Sequence, residues 1–437
     1  MKIVALNGLL GYGYSEDALN IAFSEHVDYL GVDAGSTDPG PYYLGSGHSF
    51  TDRNAVKRDL ALALPKALEH KAPFIIGTAG GAGSERHVQW LTDILLEIAA
   101  EQDLHFKLGT VYSDVSKDYV LQKLNAGKIT NMSDEMPLCA SDIEQSTTIV
   151  SQIGIAPIIE LLKQDADVIL CGRACDTAIY AAPCIYEGFN HGLAFHMAKI
   201  MECGAMCSEP VAAADVMQAY MYEDHFELRP ANPIRKCTID RVAAHTLYEQ
   251  SNPYLIFEPD GVCDLTNSKF EQMDERTVRV SGSEFKEAEK KTLKLEGVKC
   301  SGYRTICPAT IYDPETIRHF DSIADTVLRF VEENTKDTLS KDSYSITFKT
   351  NGGPESSLGI IMDIVGQTQQ IADTVCALVR SRMLHCDYVG RKSSAGNLAF
   401  PFSPSDIHVG AVYEFSVFHL AEVESLLETA KIQIKEV

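Results

Sequence analysis

No apolar run in this chain of 437 residues approaches the roughly 20 that a membrane-spanning helix needs. Positive charge is scarce as well: 38 Lys and Arg stand against 61 Asp and Glu, and the net charge of −23 repels nucleic-acid phosphates and anionic lipid head groups. The expected partners therefore include neither nucleic acid nor a membrane. The opening stretch MKIVALNGLLGYGYSEDAL has no basic start or cleavage site of a signal peptide and reads as a strand and a loop, so a cytoplasmic protein is expected. None of the twelve cysteines falls in a C-x-x-C pair. Several lie inside apolar segments, and reduced thiols packed as small hydrophobes are the simpler reading. The C-x-x-x-C pairs Cys171/Cys175 and Cys203/Cys207 leave metal or redox chemistry as the alternative. Also missing are G-x-G-x-x-G, a Walker loop, G-x-S-x-G and H-E-x-x-H. Without the first, no tightly bound NAD or FAD is expected.

What is present is ordinary globular material, 45% hydrophobic and 23% charged, long enough for two domains. Short apolar runs at 2–7, 29–35, 74–80, 106–114 and 167–175 read as strands. Between several of them, EDALNIAFSEH, RNAVKRDLALALPKALEHK and SERHVQWLTDILLEIAAEQ space their apolar residues by three and four, the helical period. This order predicts an α/β fold: an N-terminal, mostly parallel sheet with helices on both faces over residues 1–229. Past LRPANPIRKC the texture shifts to β-branched runs with Pro and Gly turns, and a C-terminal α+β domain is expected over 230–437. Its helices are expected at 314–335 and 367–386. A small-residue loop at 388–407 would close over the cleft, and a last strand and helix would follow.

Open sheets of this kind bind ligands outside the carboxyl ends of their strands. Four loops fall there: NGLLGYG (7–13), DAGSTDPGPYYLGSGHS (33–49), TAGGAGSERH (78–87) and CGRACDTA (171–178). The second is long for a connection and carries Asp33, Ser36, Thr37 and Asp38, which either cap turns or serve a ligand as acid, base or divalent-metal carboxylates. Gly80, Gly81 and Gly83 either admit an anion to backbone N–H groups or permit a tight turn before a helix capped by Ser84. Arg173 offers a clamp for a carboxylate or phosphate, or locks its loop on Asp176. On HGLAFHMAKIMECGAMC a helix would place His196, Lys199, Glu202 and Cys203 within one arc. Lys199 and Glu202 either form an exposed ion pair or, half buried, shift one another toward proton transfer. Arg391, Lys392, Ser393 and Asn397 make a second polar group in the 388–407 loop.

In order along the chain, DAGSTDPGPYYLGSG, AGGAG, GRACD, KIMECGA, LYEQSNPYLIFEPD with VRVSG, and GRKSSAGNLAFPFSPSD resemble motifs of the acyclic terpene utilisation protein A-like family. The resemblance implies a bacterial, cytosolic enzyme of carbon catabolism acting on a small carboxylate or acyl-CoA, and a homo-oligomer is expected. It singles out Asp33, Asp38, Gly80, Gly81, Arg173, Asp176, Glu202, Cys203, Arg391 and Asn397. The catalytic group expected from residues and resemblance together is Asp33, Asp38, Glu202, His196 and Lys199. Ser36, Thr37, Gly80, Gly81, Gly83, Arg173, Asp176, Arg391 and Asn397 are expected to hold the substrate. With no activated-nucleophile motif, the expected chemistry is that of a lyase, hydratase or isomerase. A hydrolase of the same substrates, and a non-catalytic subunit or binding module, are the alternatives.

Overall fold

The computed structural model describes residues 1–35, 40–132, 137–210 and 215–437. The chain forms two compact units, Met1–Lys299 with Phe415–Val437, and Cys300–Glu414.

In the first unit, among the described residues, ten strands join into one sheet. Its centre runs Lys2–Ala5, Tyr29–Val32, Phe74–Ile76, Val168–Cys171 and Lys107–Tyr112, each parallel to the next. Four of these five strands are buried along their whole length, which is why they read as continuous apolar runs. Successive side chains leave a strand on opposite faces. Ile3, Tyr29, Ile75 and Ile169 accordingly join the core under helices Ala156–Leu162, Ala178–Tyr186 and His191–Met201. Val4, Leu30, Phe74, Ile76 and Leu170 join the opposite core, under Glu16–Ala22, Arg53–His70 and Glu85–Gln102. Helices thus cover both faces, as the sequence predicts.

His191–Met201 is apolar nearly all round because both of its sides are covered. It lies against Met217–Met221 and His225–Pro230 on one side and against Gly261–Asp264 and Glu284–Glu287 on the other.

The expected boundary at residue 229/230 differs from the division of the structure. The first strands of β-branched texture after residue 230 do not begin a new body: two of them extend the first sheet, while the long run Thr292–Ile311 belongs to another. Val278–Ser281 pairs antiparallel with His225–Pro230, and Lys269–Gln272 pairs with Val278–Ser281. The chain end returns to the other edge, where Lys431–Glu436 pairs antiparallel with Lys107–Tyr112. This terminal element is a strand, where a helix was expected.

In the second unit, Tyr344–Gly352, Leu358–Gly366 and the Tyr303–Ile311 part of a long strand form an antiparallel sheet. Ile360, Met362 and Ile364 alternate toward helices Phe320–Thr335 and Gln369–His385, whose Val327, Val331, Val375 and Val379 complete the core. Among the described residues no helix is long and apolar enough to cross a membrane.

Candidate functional site

The parallel strands of the first unit end together, and the residues that follow them are the ones that matter. Asp33 follows Tyr29–Val32 and is 4% exposed. Its Oδ1 accepts the backbone N–H of Ala34 at 2.8 Å and of Gly35 at 3.1 Å. Burial nevertheless raises its pKa well above the ordinary carboxylate value, with repulsion from Asp176 and Glu202 acting the same way. Asp176 follows Val168–Cys171. Its pKa too is raised by burial, against the pull of Arg173 and Lys199. Its buried Oδ1 has no hydrogen-bond partner, and Arg173 Nη1 is 3.9 Å away.

Glu202 caps the C-terminus of His191–Met201, one turn beyond Lys199. Both side chains are 5% exposed, and Lys199 Nζ donates to Glu202 Oε1. Burial pushes the Glu202 carboxyl up to about 8 despite that contact, and the nearby Asp176 adds to the rise. Of the two readings open in the sequence, exposed ion pair or buried proton-transfer group, the structure places the pair in the interior.

Arg173 is buried and its guanidinium already has a partner. Nε and Nη2 reach Glu296 Oε2 and Oε1 at 2.8 and 3.2 Å, a bidentate pair. Lys294 Nζ lies 2.6 Å from the same Glu296. Burial works to raise the pKa of Glu296, and Arg173 and Lys294 overcome it, holding the carboxyl at about 2.

The glycine turn is filled by protein. Gly80, Gly81 and Gly83 all have positive φ, and a Cβ on Gly83 would stand 2.2 Å from the Arg173 backbone nitrogen. Gly83 therefore lets the turn pack onto the loop that carries Arg173. Ser84 starts Glu85–Gln102, with its Oγ 2.7 Å from His87 Nδ1.

His196 does not join the carboxylates. It is fully buried, its Nδ1 hydrogen-bonds with Ser283 Oγ at 2.7 Å and its Nε2 with Thr246 Oγ1 at 3.0 Å. Phe226 and Phe270 pack edge-on against its ring, and burial lowers its pKa to about 3. It is a neutral core histidine with both nitrogens satisfied. Ser36, Thr37 and Asp38 lie outside the described residues.

Arg391 and Asn397 belong to the second unit and line a cleft of about 540 Å³ there with Tyr312, Asp313, Tyr388 and Lys392. Their polar groups hold the loop itself. Arg391 donates to the carbonyls of Cys386, at 2.7 Å, and Ala395. Asn397 Nδ2 donates to those of Met383 and Cys386 at 3.0 and 2.9 Å.

Three acids that sequence reasoning passed over complete the picture. Glu296 is one; Glu258 and Asp260, at the turn between Leu255–Glu258 and Gly261–Asp264, are the others. Glu258 Oε1 accepts from Thr177 Oγ1 at 2.8 Å, and burial pushes its pKa up to about 8, with Glu202, Asp260 and Asp176 contributing. Burial lifts Asp260 to about 6, and its Oδ2 is buried without a partner. The available signal was the E-P-D triplet directly after an apolar strand pattern.

All twelve thiols are free of disulfides. Cys203 is half-buried, and burial raises its pKa above the ordinary thiol value, so it carries no thiolate at neutral pH. Among the described residues no group of three or more His, Cys, Asp or Glu converges as metal ligands.

The site is thus a cluster of carboxyls, Asp33 and Glu202 buried and Asp176 partly exposed, whose pKa values are raised by burial and by neighbouring acids, beside the buried Lys199 amine. Fold and site together define an α/β protein with a cluster of acids of raised pKa at the carboxyl ends of a mostly parallel sheet. The model of the acyclic terpene utilisation family protein AtuA matches residues 49–224 and 230–385, most of the chain. The chain belongs to this family, whose name places it in the catabolic use of acyclic terpenes. No curated protein and no solved structure matches it.

Proposed function

We propose that the chain is an enzyme that performs proton transfer on a small carboxylate or acyl-CoA, as a lyase, hydratase or isomerase. One observation carries this reading: Asp33, Asp176 and Glu202 come together beside Lys199 at a place where burial raises the pKa of all three, that of Glu202 to about 8. Acid–base catalysis is most effective when the pKa of the group lies near the working pH. In each of the three reaction types the site removes a proton from one substrate atom and returns one to another, and neighbouring carboxyls in opposite protonation states can do both. No residue here needs to form a bond to the substrate.

The same reading makes the protein a bacterial, cytoplasmic, homo-oligomeric enzyme with a small-molecule partner and no tightly bound nicotinamide or flavin. Its net charge of −23 supports the lack of a nucleic-acid or membrane partner.

Incubating the protein in D2O with short carboxylic acids and their CoA thioesters tests the chemistry. The expected result is solvent deuterium on a substrate carbon, at a rate that Glu202→Gln lowers about 100-fold or more. A wild type that binds these compounds without exchange would instead be a binding module.

A further inference from the structure

The ring of Tyr180 is fully buried on helix Ala178–Tyr186, yet its hydroxyl has no hydrogen-bond partner. An orphaned buried donor destabilises the fold that holds it, and a phenylalanine would fill the same volume without that penalty. The sheet is shaped to admit this ring. Gly31, in the middle of Tyr29–Val32, is the point of approach, and a Cβ there would stand 2.4 Å from Tyr180 Cε1. The fold therefore accommodates the phenol closely while giving its hydroxyl nothing to bond. The ionisable groups around that hydroxyl are those of the candidate site, Asp33 and Glu202, with the Cys203 thiol beside them. Two other buried polar atoms at the strand ends, Asp176 Oδ1 and Asn7 Oδ1, are likewise without partners.

We propose that Tyr180 is a further substrate-binding residue, whose hydroxyl donates a hydrogen bond to an uncharged oxygen, hydroxyl or carbonyl, next to the reacting carbon of the substrate. This deepens the proton-transfer reading and rests on it. The oxygen must be uncharged because the surroundings that raise the pKa of Asp33, Asp176 and Glu202 disfavour negative charge, and a substrate carboxylate placed among them would meet the same penalty. The carboxylate or thioester of the substrate then lies away from this end. Tyr180 can serve as a donor at any physiological pH, since burial, with Asp33 and Glu202 adding to it, raises its pKa far above the ordinary phenol value. The specificity follows: of two acids equal in length, the one oxygenated near the reacting carbon is selected.

The test uses butyrate against 3-hydroxybutyrate, and butyryl-CoA against 3-hydroxybutyryl-CoA, titrated calorimetrically into the wild type and Tyr180→Phe. In at least one pair the wild type is expected to bind the hydroxylated member about 2- to 10-fold more tightly, the net worth of one neutral hydrogen bond, and the two pairs distinguish a free acid from a thioester. Tyr180→Phe is expected to lose that preference, to keep its affinity for the unsubstituted member, and to melt at the same or a higher temperature when empty. A variant that keeps the preference, a variant that melts several degrees lower, or a wild type with no preference in either pair each overturns the proposal. Deuterium exchange separates this failure from that of the underlying reading: exchange without preference removes Tyr180 alone, and preference without exchange removes the proton-transfer chemistry.

Discussion

At the strand ends of the first unit, the buried Asp33 and Glu202 lie near the partly buried Asp176 and Glu258, where Lys199 is hydrogen-bonded to Glu202 and Arg173 is already held by Glu296. The second unit handles its acids differently. Asp363 is bracketed there by Arg304 at 2.9 Å and Lys349 at 2.7 Å, and Arg380 meets Asp406 at 2.9 Å. Its cleft residues Arg391 and Asn397 bond backbone carbonyls. Paired charges of this kind describe a fold securing itself. Where acids outnumber the cations beside them and burial opposes their ionisation, they are driven toward keeping protons, and a kept proton is one that can be delivered.

Three substitutions sharpen the contrast, taken from the largest expected effect down. Arg173→Ala should be the most destabilising, by about 3 kcal/mol or more, because it strips Glu296 of its bidentate partner and leaves a buried charge. Urea unfolding measures this, and a loss below about 1 kcal/mol would mean that Lys294 alone suffices. Glu202→Gln should lower turnover about 100-fold or more while leaving the melting temperature unchanged or raised, since a neutral amide replaces a group that is itself neutral at pH 7. A destabilised but active Glu202→Gln would turn the Lys199–Glu202 pair into a structural clamp. Arg391→Ala should cost about 1 kcal/mol, the scale of lost backbone hydrogen bonds, with turnover unchanged. A loss of turnover without a loss of stability there would move part of the chemistry into the second unit.

The sequence made some of this visible and hid the rest for identifiable reasons. The five parallel strands showed as apolar runs because both of their faces are covered, and Asp33, Arg173 and Asp176 were visible because each follows such a run directly. Lys199 and Glu202 stood out as charges in an apolar segment. His196 stood out for the same reason and misled, because its partners Ser283 and Thr246 come from elements 87 and 50 residues away. Glu296, Glu258 and Asp260 went unnoticed because antiparallel strands late in the chain bring them back to loops formed early in it. The boundary at residue 229/230 failed on the same kind of long-range pairing: a shift to β-branched texture marks strands, and only the register of Phe226 on Val280 shows which sheet they join.

The central claim, that burial among the strand-end acids lets Glu202 keep its proton through neutral pH, is most directly tested by the melting temperature of the wild type and of Glu202→Gln as a function of pH. A carboxyl whose pKa rises from 4.5 in the unfolded chain to about 8 in the fold binds a proton that unfolding releases. Its stabilising contribution is therefore complete below pH 4.5 and declines as pH climbs toward 8, by about 1.4 kcal/mol per pH unit for each proton. Glutamine does not titrate, so the account predicts that wild-type stability falls across this window and that the Glu202→Gln curve falls less steeply. Parallel curves for the two proteins, or a wild type that gains stability as pH rises from 5 to 8, would contradict it.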